Sequence, residues 1–546
     1  MRQALENPFY YLDNFQRVLG WVAEHHGDLL VESEQAFLDR FVTLPEPSRA
    51  LLVRMVMRKG ELFRTGKLRY VEIGCPLLAS EPLIEQGWVD PAPLLTLEEL
   101  FGLLRKHELA QSLGALALQH LRKAELYARL SEAHNEPRAF EQWCQALDER
   151  VLRVRIGELC ERLRLMFFGN LRQDWTEFVL ADLGIFRYEQ VPFSPASRAF
   201  DSRRELDDYL HLQRCRERFE AGEATASVLA DIPDNAFDNP WLETRRGKLL
   251  LRLGQQLERE GALPEALRVH ADNAYPGARS RAIRVLERLE QPEAALTLAQ
   301  QAAQAPESET EAQQLSRMMP RLQRTLGGRA VARQTRADDI RMDLVLPYTG
   351  VSVEHAVRAQ LDRPGAPVHY VENALINSLL GLLCWEAIFA PLPGAFFHPF
   401  HAAPADLASP DFAARRSAWL KPCLDLLDTG AYQDCIRRTY VAKFGIQSAF
   451  VSWGLLDEAL LERALACLPA AHLKAFFRRI LADVPTNRSG LPDLIQFFPA
   501  EGRYRLIEVK GPGDRLQDNQ KRWLAYAAQH GIPVAVCHVR WESDAA

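Results

Sequence analysis

GLPDLIQFFPAEGRYRLIEVKGPGDRLQDNQKRWLAYAAQHGIPVAVCHV, residues 490–539, is the stretch that decides the fold. Its apolar and β-branched runs predict strands over 493–498, 504–510 and 534–539, and the spacing of apolar residues between 515 and 530 predicts a helix. The last strand, helix and strand should form a right-handed crossover with parallel strands. The C-terminal part is therefore expected to be a small α/β domain with helices packed on a mixed sheet.

Two charged side chains lie on one face of the second predicted strand. Because alternate residues of a strand point the same way, Glu508 and Lys510 share one face, and Ile507 and Val509 share the other. Asp493, at the start of the neighbouring strand, can supply a second carboxylate. Two carboxylates with backbone carbonyl and water oxygens suit Mg²⁺ or Mn²⁺, and a nearby lysine can polarise water or steady a phosphate. The pattern predicts metal-assisted phosphodiester hydrolysis.

This combination of residues is rare in the chain. An acid followed two residues later by lysine occurs once, at Glu508, and Pro-Asp occurs three times, of which only Asp493 precedes Glu508 by a hairpin-like distance. The alternative is a structural Glu–Lys pair at a strand edge. Gln520 is a further candidate, because it shares a helical face with Leu516 and Trp523. Its amide either makes a core hydrogen bond or reaches toward the metal site.

Composition narrows the class of protein. The 546 residues carry 66 Lys+Arg against 72 Asp+Glu, a net charge of −6, and are 47% hydrophobic, which excludes a mostly disordered chain. The longest apolar run, 374–392, contains Glu386 and is better explained by a buried helix than by a membrane span. No signal peptide is evident, so we expect a cytoplasmic protein. The nine cysteines show no C-x-x-C spacing, which argues against disulfides and Cys-type zinc sites.

Basic residues are concentrated in two stretches that are candidates for phosphate contact. The first contains Arg54, Arg58, Lys59, Arg64, Lys67 and Arg69 with one acid, Glu61. The second contains Arg317, Arg321, Arg324, Arg329, Arg333 and Arg336 with no acid between 317 and 336. For both stretches the alternative is an ordinary solvated surface.

The first two thirds of the chain are expected to be mostly helical. Apolar residues recur at helical spacing over 10–26, 35–44 and 48–64, and Thr96 with Glu99 forms a capping box that opens a helix pair. Residues from Arg150 to Arg164 are also expected within a helical run. Residues 240–304 read as helix pairs, two of which begin Pro-Glu-Ala, at 264 and 292. We interpret them as a degenerate helical-repeat array, with an irregular bundle as the alternative.

The C-terminal motif resembles a known family. Pro-Asp, then EVKGPGDRL beginning fifteen positions after Asp493, then Gln520 and Trp523 resemble the VRR-NUC branch of the PD-(D/E)xK nucleases. The segments YYLDNFQRVL, LLVRMVMRKGELFRTGKLRYVEI, DWTEFVLADLG and NSLLGLLCWEAIF resemble, in the same order, the Fanconi-associated nuclease family. The resemblance runs nearly end to end.

The resemblance implies a fold, a division into domains and a set of site residues. It implies a multidomain protein whose mostly α-helical N-terminal two thirds precede an α/β PD-(D/E)xK restriction-endonuclease-like domain. The regions are a helical DNA-binding region 1–92, a SAP-like region 93–200, a tetratricopeptide-like region 201–336 and a VRR-NUC domain 337–546. Asp493, Glu508, Glu372 on a helix, and Val509 would be metal ligands, and Lys510 the catalytic lysine. A 5′-phosphate pocket would involve Arg279, Arg281 and Arg284.

The function implied by the resemblance is cleavage of branched DNA. A metal-dependent 5′ flap endonuclease and 5′-to-3′ exonuclease acting in interstrand crosslink repair is expected, with Mg²⁺ or Mn²⁺ as cofactor and flapped DNA as partner. Two alternatives stay open. A Holliday-junction or restriction-type endonuclease would use the same core on another substrate, and a non-catalytic helical-repeat scaffold would bind DNA without cutting it.

Overall fold

A computed structural model describes residues 7–113, 120–145, 147–194, 197–328, 340–348 and 350–542. The chain divides into two compact units. The first comprises Met1–Phe186 and Arg198–Leu206, and the second comprises Arg187–Ser197 and Asp207–Ala546. The predicted Arg329, Arg333 and Arg336 lie outside the described residues.

The first unit consists of short helices and small sheets. Its helices are α1 Tyr10–His26, α2 Glu32–Phe41, α3 Glu46–Val56, α4 Pro76–Glu85, α5 Leu97–Leu103, α6 Lys106–Ser112, α7 Lys123–Leu130, α8 Phe140–Trp143, α9 Gly157–Phe168 and α10 Thr176–Asp182. Its strands are β1 Leu62–Arg64, β2 Val89–Asp90, β3 Leu94–Leu95, β4 Arg138–Ala139 and β5 Val151–Val154. β5 pairs with β1 and β2, and β3 pairs with β4. The capping box at the start of α5 is confirmed: the Glu99 N–H donates to Thr96 Oγ1 over 3.2 Å.

Two helical predictions in this unit are wrong in part. The helix expected over 48–64 ends at Val56, because Gly60 takes the left-handed conformation with φ 85° and the chain turns into β1. The run from Arg150 to Arg164 begins as strand β5, where Val151, Leu152 and Val154 are buried against β1 and β2, and becomes helical only at Gly157. β-Branched residues that pack across a sheet outweigh helical spacing here.

A run of helices comes next; the first four residues of its first helix belong to the first unit and all the rest to the second. They are α11 Arg203–Glu220, α12 Thr225–Ala230, α13 Pro240–Glu260, α14 Leu263–Ala271, α15 Ala278–Arg288, α16 Pro292–Gln304 and α17 Glu309–Thr325. From α13 to α17, each helix contacts the next along the chain. Gly254 of α13 lets this stack close, since an added Cβ would lie 2.5 Å from the His270 ring. Sequential packing of this kind is the arrangement of a helical-repeat array.

The rest of the second unit is α/β. Its helices are α18 Val353–Leu361, α19 Leu375–Leu383, α20 Trp385–Ile388, α21 Phe412–Arg415, α22 Ser417–Thr429, α23 Tyr432–Lys443, α24 Glu458–Cys467, α25 Ala470–Ala482, α26 Val484–Asn487 and α27 Asp518–Gln529. Its strands are β6 Ile340–Leu346, β7 Val368–Tyr370, β8 Leu494–Phe498, β9 Arg503–Lys510 and β10 Val534–Trp541. They form one mixed sheet in the order β6-β10-β9-β8-β7.

This sheet confirms the predicted C-terminal topology and the predicted fold class. β8 and β9 are antiparallel, and β9 and β10 are parallel across the α27 crossover. Ile507 and Val509 pack into one apolar core with Leu494, whereas Leu506 packs into a second core on the opposite face with Ile495 and Phe497. Glu508 and Lys510 therefore share the face of Leu506, as strand alternation predicts.

Candidate active site

The register of β8 and β9 brings two carboxylates together. Leu494 lies opposite Ile507, so the residue before Leu494 faces the residue after Ile507. These residues are Asp493 and Glu508, and both are buried, with 8% and 1% of their surfaces exposed. A buried carboxylate pair of this kind requires cations or protons to be stable. The predicted pairing of Asp493 with the Glu508 strand therefore appears in the structure as adjacent acidic side chains.

Asp493 is held by the backbone of the neighbouring strand. The Val509 N–H donates to Asp493 Oδ2 over 2.7 Å. Burial raises the pKa of Asp493 to about 6; the hydrogen bond from Val509 and the charge of Lys510 oppose this, whereas Glu372 and Glu354 add to it. Asp493 thus has a fixed orientation and an unfavourable negative charge.

Glu508 is paired with the predicted catalytic lysine. Lys510 Nζ lies 2.7 Å from Glu508 Oε1, and Lys510 is 7% exposed. Burial, followed by repulsion from Asp493, raises the pKa of Glu508 to about 7, although Lys510 lowers it. One lysine therefore does not neutralise the two carboxylates, and a divalent cation would complete the charge balance.

Glu372 lies in a turn and not on the helix that the sequence analysis expected. Glu372 follows β7 and precedes α19, next to Asn373, whose φ of 52° breaks the helical path. Its carboxylate accepts hydrogen bonds from the Tyr370 hydroxyl (2.5 Å) and from Asn373 Nδ2 (3.1 Å). The Val371 N–H donates to the Asp493 carbonyl over 2.8 Å, which ties this turn to the pair.

Glu354 is an acidic residue that the sequence analysis missed. It lies in the first turn of α18 and raises the pKa of both Asp493 and Tyr370. It belongs to no motif, and only the packing of α18 against β7 and β9 brings it near the site. The sequence around Glu354 gives no signal of this proximity.

The donor set fits a hard divalent cation that keeps open positions. Within the residues that the structure describes, no three His, Cys, Asp or Glu side chains are grouped so that they could hold a metal alone. Asp493 and Glu508 supply two carboxylates, and both have raised pKa values that a cation would relieve. Mg²⁺ typically takes one or two carboxylates and fills the remaining positions with water and phosphate oxygens. The roles of Glu372 and Val509 as further ligands stay predictions.

The side chain of Gln520 makes a local hydrogen bond at the start of α27. Its Oε1 accepts a hydrogen bond from the Gln517 N–H over 2.8 Å and closes a capping box at the start of α27. The helix therefore begins at Asp518, three residues later than predicted. A metal-directed role for Gln520 stays a prediction that this hydrogen bond does not support.

The basic stretch in the first unit separates into exposed and enclosed residues. Arg58, Lys59, Lys67 and Arg69 are exposed. Arg64 is 4% exposed and is enclosed by Glu108 and Glu149, with which it makes hydrogen bonds of 2.8–3.1 Å. Arg64 would have to leave both carboxylates to contact a phosphate, and such a contact stays a prediction.

Arg54, the remaining member of that stretch, is also engaged within the protein. Its guanidinium donates to Glu72 over 2.8 Å and lies 3.7 Å from the Tyr11 ring centroid. We therefore expect the four exposed residues, and not Arg54 or Arg64, to account for any phosphate contact made by this stretch.

The array arginines are also divided between ion pairs and solvent. Arg279 pairs with Glu311, Arg281 with Glu258, Arg321 with Glu287 and Arg317 with Asp518. Arg284 and Arg324 are exposed, and Arg324 Nε donates to the Pro320 carbonyl over 3.2 Å. DNA contact by these residues stays a prediction, and the paired ones would have to leave a carboxylate to make it.

Three family models match separate parts of the chain. The model for the FAN1 HTH domain matches residues 9–90, the Fanconi anemia-associated nuclease SAP domain matches 94–143, and the VRR-NUC domain matches 428–541. A Fanconi-associated nuclease 1 homolog of Pseudomonas aeruginosa is 56% identical over 544 residues, covering 99% of this chain and 97% of that protein. The chain belongs to the Fanconi-associated nuclease family. It is therefore a nuclease, and the predicted family is confirmed.

More distant members of the family and solved structures agree with this assignment. The Arabidopsis thaliana homolog is 24% identical and covers 97% of this chain and 67% of its own length. A crystal structure of paFAN1 bound to 5′ flap DNA with a 2-nucleotide flap and a gap matches with a TM-score of 0.95 at 55% identity, covering 99% of this chain and 100% of that chain. A second, with a 1-nucleotide flap, has a TM-score of 0.92. Nucleases of this family, which have a VRR-NUC domain, generally require a divalent metal ion. In the described part of the chain, no helix is long and apolar enough to cross a membrane.

We expect Asp493→Asn to raise the free energy of unfolding at pH 8 in divalent-free buffer. The folded-state pKa of Asp493 is about 6 and the unfolded value is 3.8. An acid whose pKa is raised by folding destabilises the fold above its folded pKa, and this penalty disappears as the pH falls below the unfolded value. The gain from the variant is roughly 3 kcal/mol at pH 8.

Urea unfolding of both proteins in EDTA at pH 8, 6 and 4 measures this effect. Asparagine keeps an acceptor for the Val509 N–H, so the hydrogen bond is a constant in the comparison. The advantage of the variant should shrink toward pH 4, and an equal or lower stability at pH 8 would show that Asp493 is not a costly charge.

Proposed function

We propose that this nuclease cleaves phosphodiester bonds at 5′ flaps of branched DNA and degrades DNA from 5′ to 3′, with Mg²⁺ or Mn²⁺ bound at Asp493 and Glu508. The observation that carries the proposal is the buried carboxylate pair with Lys510 on adjacent strands. The flap preference is supported by the likeness to paFAN1, whose structures contain 5′ flap DNA. The same proposal includes a role in interstrand crosslink repair and a nucleoid-associated location in the cytoplasm. It also includes the division into four regions, 1–92, 93–200, 201–336 and 337–546.

The residues of this chain would divide the chemistry among them. The bound metal supplies a Lewis acid that stabilises negative charge on the scissile phosphate. Asp493, held by the Val509 N–H, and Glu508 would hold the metal. Lys510 adds a positive charge beside Glu508, where it can hold a phosphate oxygen or orient the attacking water. All three side chains are buried, and the exclusion of bulk water strengthens the electrostatic interactions that they make.

The experiment that tests the proposal compares labelled 5′ flap, 3′ flap, four-way junction and plain duplex DNA, each with Mn²⁺, Mg²⁺ or EDTA. Metal-dependent cutting that favours the 5′ flap is expected. Preferential and symmetric cutting of the four-way junction would favour the resolvase alternative. Binding without cutting in either metal would favour the scaffold alternative.

Neutralising two exposed residues of the first unit should weaken DNA binding for all sequences alike. The variant is Arg58→Ala with Lys59→Ala, and both side chains are exposed. Each lost phosphate contact reduces the magnitude of the negative slope of log K against log salt by about 0.9, so the double variant should reduce it by about 1.8. Fluorescence anisotropy across a salt series measures this slope, and Arg40→Ala, an exposed arginine outside the stretch, is the control. An unchanged slope would mean that the stretch is solvated surface.

A further inference from the structure

The last helix of the array, α17, contacts α27, the crossover helix of the nuclease sheet. Arg317 of α17 makes a two-pronged contact with Asp518, the first residue of α27: NH1 donates to Oδ2 over 2.6 Å and NH2 donates to Oδ1 over 2.7 Å. The two residues are 201 positions apart in the chain. A bidentate arginine–carboxylate pair fixes orientation as well as distance. The Arg317 hydrogen bonds hold the pKa of Asp518 at about 2, so this carboxylate stays ionised at any working pH.

Two more contacts join the same helices. Arg522 of α27 donates to Gln313 Oε1 over 2.6 Å, and Gln313 Nε2 donates to the Asp518 carbonyl over 3.4 Å. Glu309, at the start of α17, pairs with Arg479, which is 7% exposed. α17 therefore contacts the nuclease part of the unit along its first three turns.

The buried Arg479 carries this contact into the body of α27. Its guanidinium lies 4.8 Å from the Trp523 ring centroid and 4.4 Å from that of Tyr526. Since a desolvated cation over two aromatic rings is held in one place, Glu309, Arg479 and the α27 rings form a packed group. The orientation of α27 thus depends on α17 at both ends of their contact.

From α27, hydrogen bonds lead to the carboxylates of the site. Trp523 Nε1 donates to the Ser489 carbonyl over 3.1 Å. Gly490 follows with φ 86°, and a Cβ there would lie 2.8 Å from Asn519 of α27. The segment that precedes β8 is therefore in close contact with α27. The Leu491 N–H donates to Asn373 Oδ1 over 3.1 Å, and Asn373 Nδ2 donates to Glu372 over 3.1 Å. Asp493 is two residues beyond Leu491.

We propose that Arg317 and Asp518 are a positioning pair, through which the helical array holds α27 and the 489–491 segment so that Asp493 and Glu372 are presented for metal binding. The inference rests on the proposed function of Asp493. It gives Arg317 a role other than the DNA contact predicted from its sequence. The pair is about half exposed, and such pairs contribute little to global stability, so the variants should fold.

The test is Arg317→Ala, measured for cleavage of a 5′ flap, for flap binding in Ca²⁺ and for Mn²⁺ binding by calorimetry. Because small misplacements of reacting groups cost one to two orders of magnitude, kcat should fall by about tenfold. Mn²⁺ should bind more weakly, and the Kd for DNA should stay within about twofold of wild type, since no phosphate contact is lost. The double variant Arg317→Asp with Asp518→Arg should have a kcat at least about threefold higher than that of Arg317→Ala, as expected of directly coupled residues.

The matched control is Arg437→Ala. Arg437 makes an equally two-pronged contact with Glu462 between α23 and α24, at 2.7 and 2.8 Å, and its side chain is similarly exposed. It should leave kcat and Mn²⁺ affinity unchanged.

Two results would overturn the inference. In the first, Arg317→Ala weakens DNA binding and lowers its salt slope with kcat intact, which would make Arg317 a phosphate contact. In the second, kcat and Mn²⁺ affinity match wild type, which would make the pair ordinary surface. Failure of the proposed function is distinct, because the wild type itself would then not cut; the Mn²⁺ titration would still test the pair, and an unchanged affinity would reject it.

Discussion

Asp493→Asn is expected to abolish flap cleavage while leaving flap binding nearly intact. Asp493 is one of two buried carboxylates facing the same point, and its orientation is set by the Val509 N–H. Removal of its charge takes away half of the anionic donor set for the metal, and Lewis-acid stabilisation of this kind contributes several kcal/mol. A loss of about 4 kcal/mol corresponds to about 1,000-fold in rate. Single-turnover cleavage of a labelled 5′ flap with saturating Mn²⁺ measures it.

Two parallel measurements separate this result from misfolding. The variant should lose Mn²⁺ binding by calorimetry, and it should bind the flap in Ca²⁺ with a Kd close to that of wild type. Asp425→Asn is the control, because Asp425 is an exposed carboxylate that pairs with Lys421 on the surface of α22. Cleavage within about tenfold of wild type by Asp493→Asn would remove Asp493 from the metal site.

Lys510→Met is expected to lower the rate by at least about 100-fold with Mn²⁺ binding retained. Lys510 Nζ lies 2.7 Å from Glu508 Oε1 and is buried. Methionine keeps most of the side-chain volume but removes the charge that would face the phosphate, and loss of one such electrostatic contact costs about 100- to 1,000-fold. The contrast with Asp493→Asn is diagnostic, because one variant loses the metal and the other loses only the chemistry.

Single-turnover rates and Mn²⁺ calorimetry at pH 8.5 measure the two properties of Lys510→Met. The pKa of Glu508 is about 7 with Lys510 present, and Lys510 lowers it. Its removal raises that pKa further, so the high pH is needed to keep Glu508 ionised. Loss of Mn²⁺ binding together with cleavage would assign Lys510 a structural role in the pair. A wild-type rate would exclude it from catalysis.

The sequence was sufficient for the local features of the site. Strand alternation placed Glu508 and Lys510 on one face, and the distance to Asp493 predicted the hairpin that brings the two carboxylates together. Both features depend on neighbours in sequence or on one tight connection. The helix cap at Thr96 belongs to the same class, because its partner Glu99 is three residues away.

The features that sequence could not predict depend on distant partners. Arg64 belongs to a basic stretch, but its carboxylates are 44 and 85 residues away, at Glu108 and Glu149. Arg317 meets Asp518 across 201 residues. Spacing rules for helices describe which residues share a face, and they contain no information on what that face contacts. Local charge density therefore does not reveal that Arg64 and Arg317 are paired with carboxylates.

The position of Glu372 shows a third limit. Its neighbourhood favoured a helix start, yet Asn373 takes a left-handed conformation and its side chain bridges Glu372 to the Leu491 N–H. The Leu491 N–H that bonds Asn373 Oδ1 comes more than a hundred residues later in the chain. Glu354 is similar, because only the packing of α18 on the sheet brings its charge to Asp493.

We propose above all that Asp493 and Glu508 together hold the divalent cation. Anomalous X-ray scattering from crystals of the protein grown with Mn²⁺ and flap DNA tests it most directly. We predict a manganese peak about 2.0–2.3 Å from carboxylate oxygens of both residues, with phosphate or water oxygens in the remaining positions. A fully occupied manganese peak elsewhere in the nuclease domain, with both carboxylates unliganded, would contradict the account.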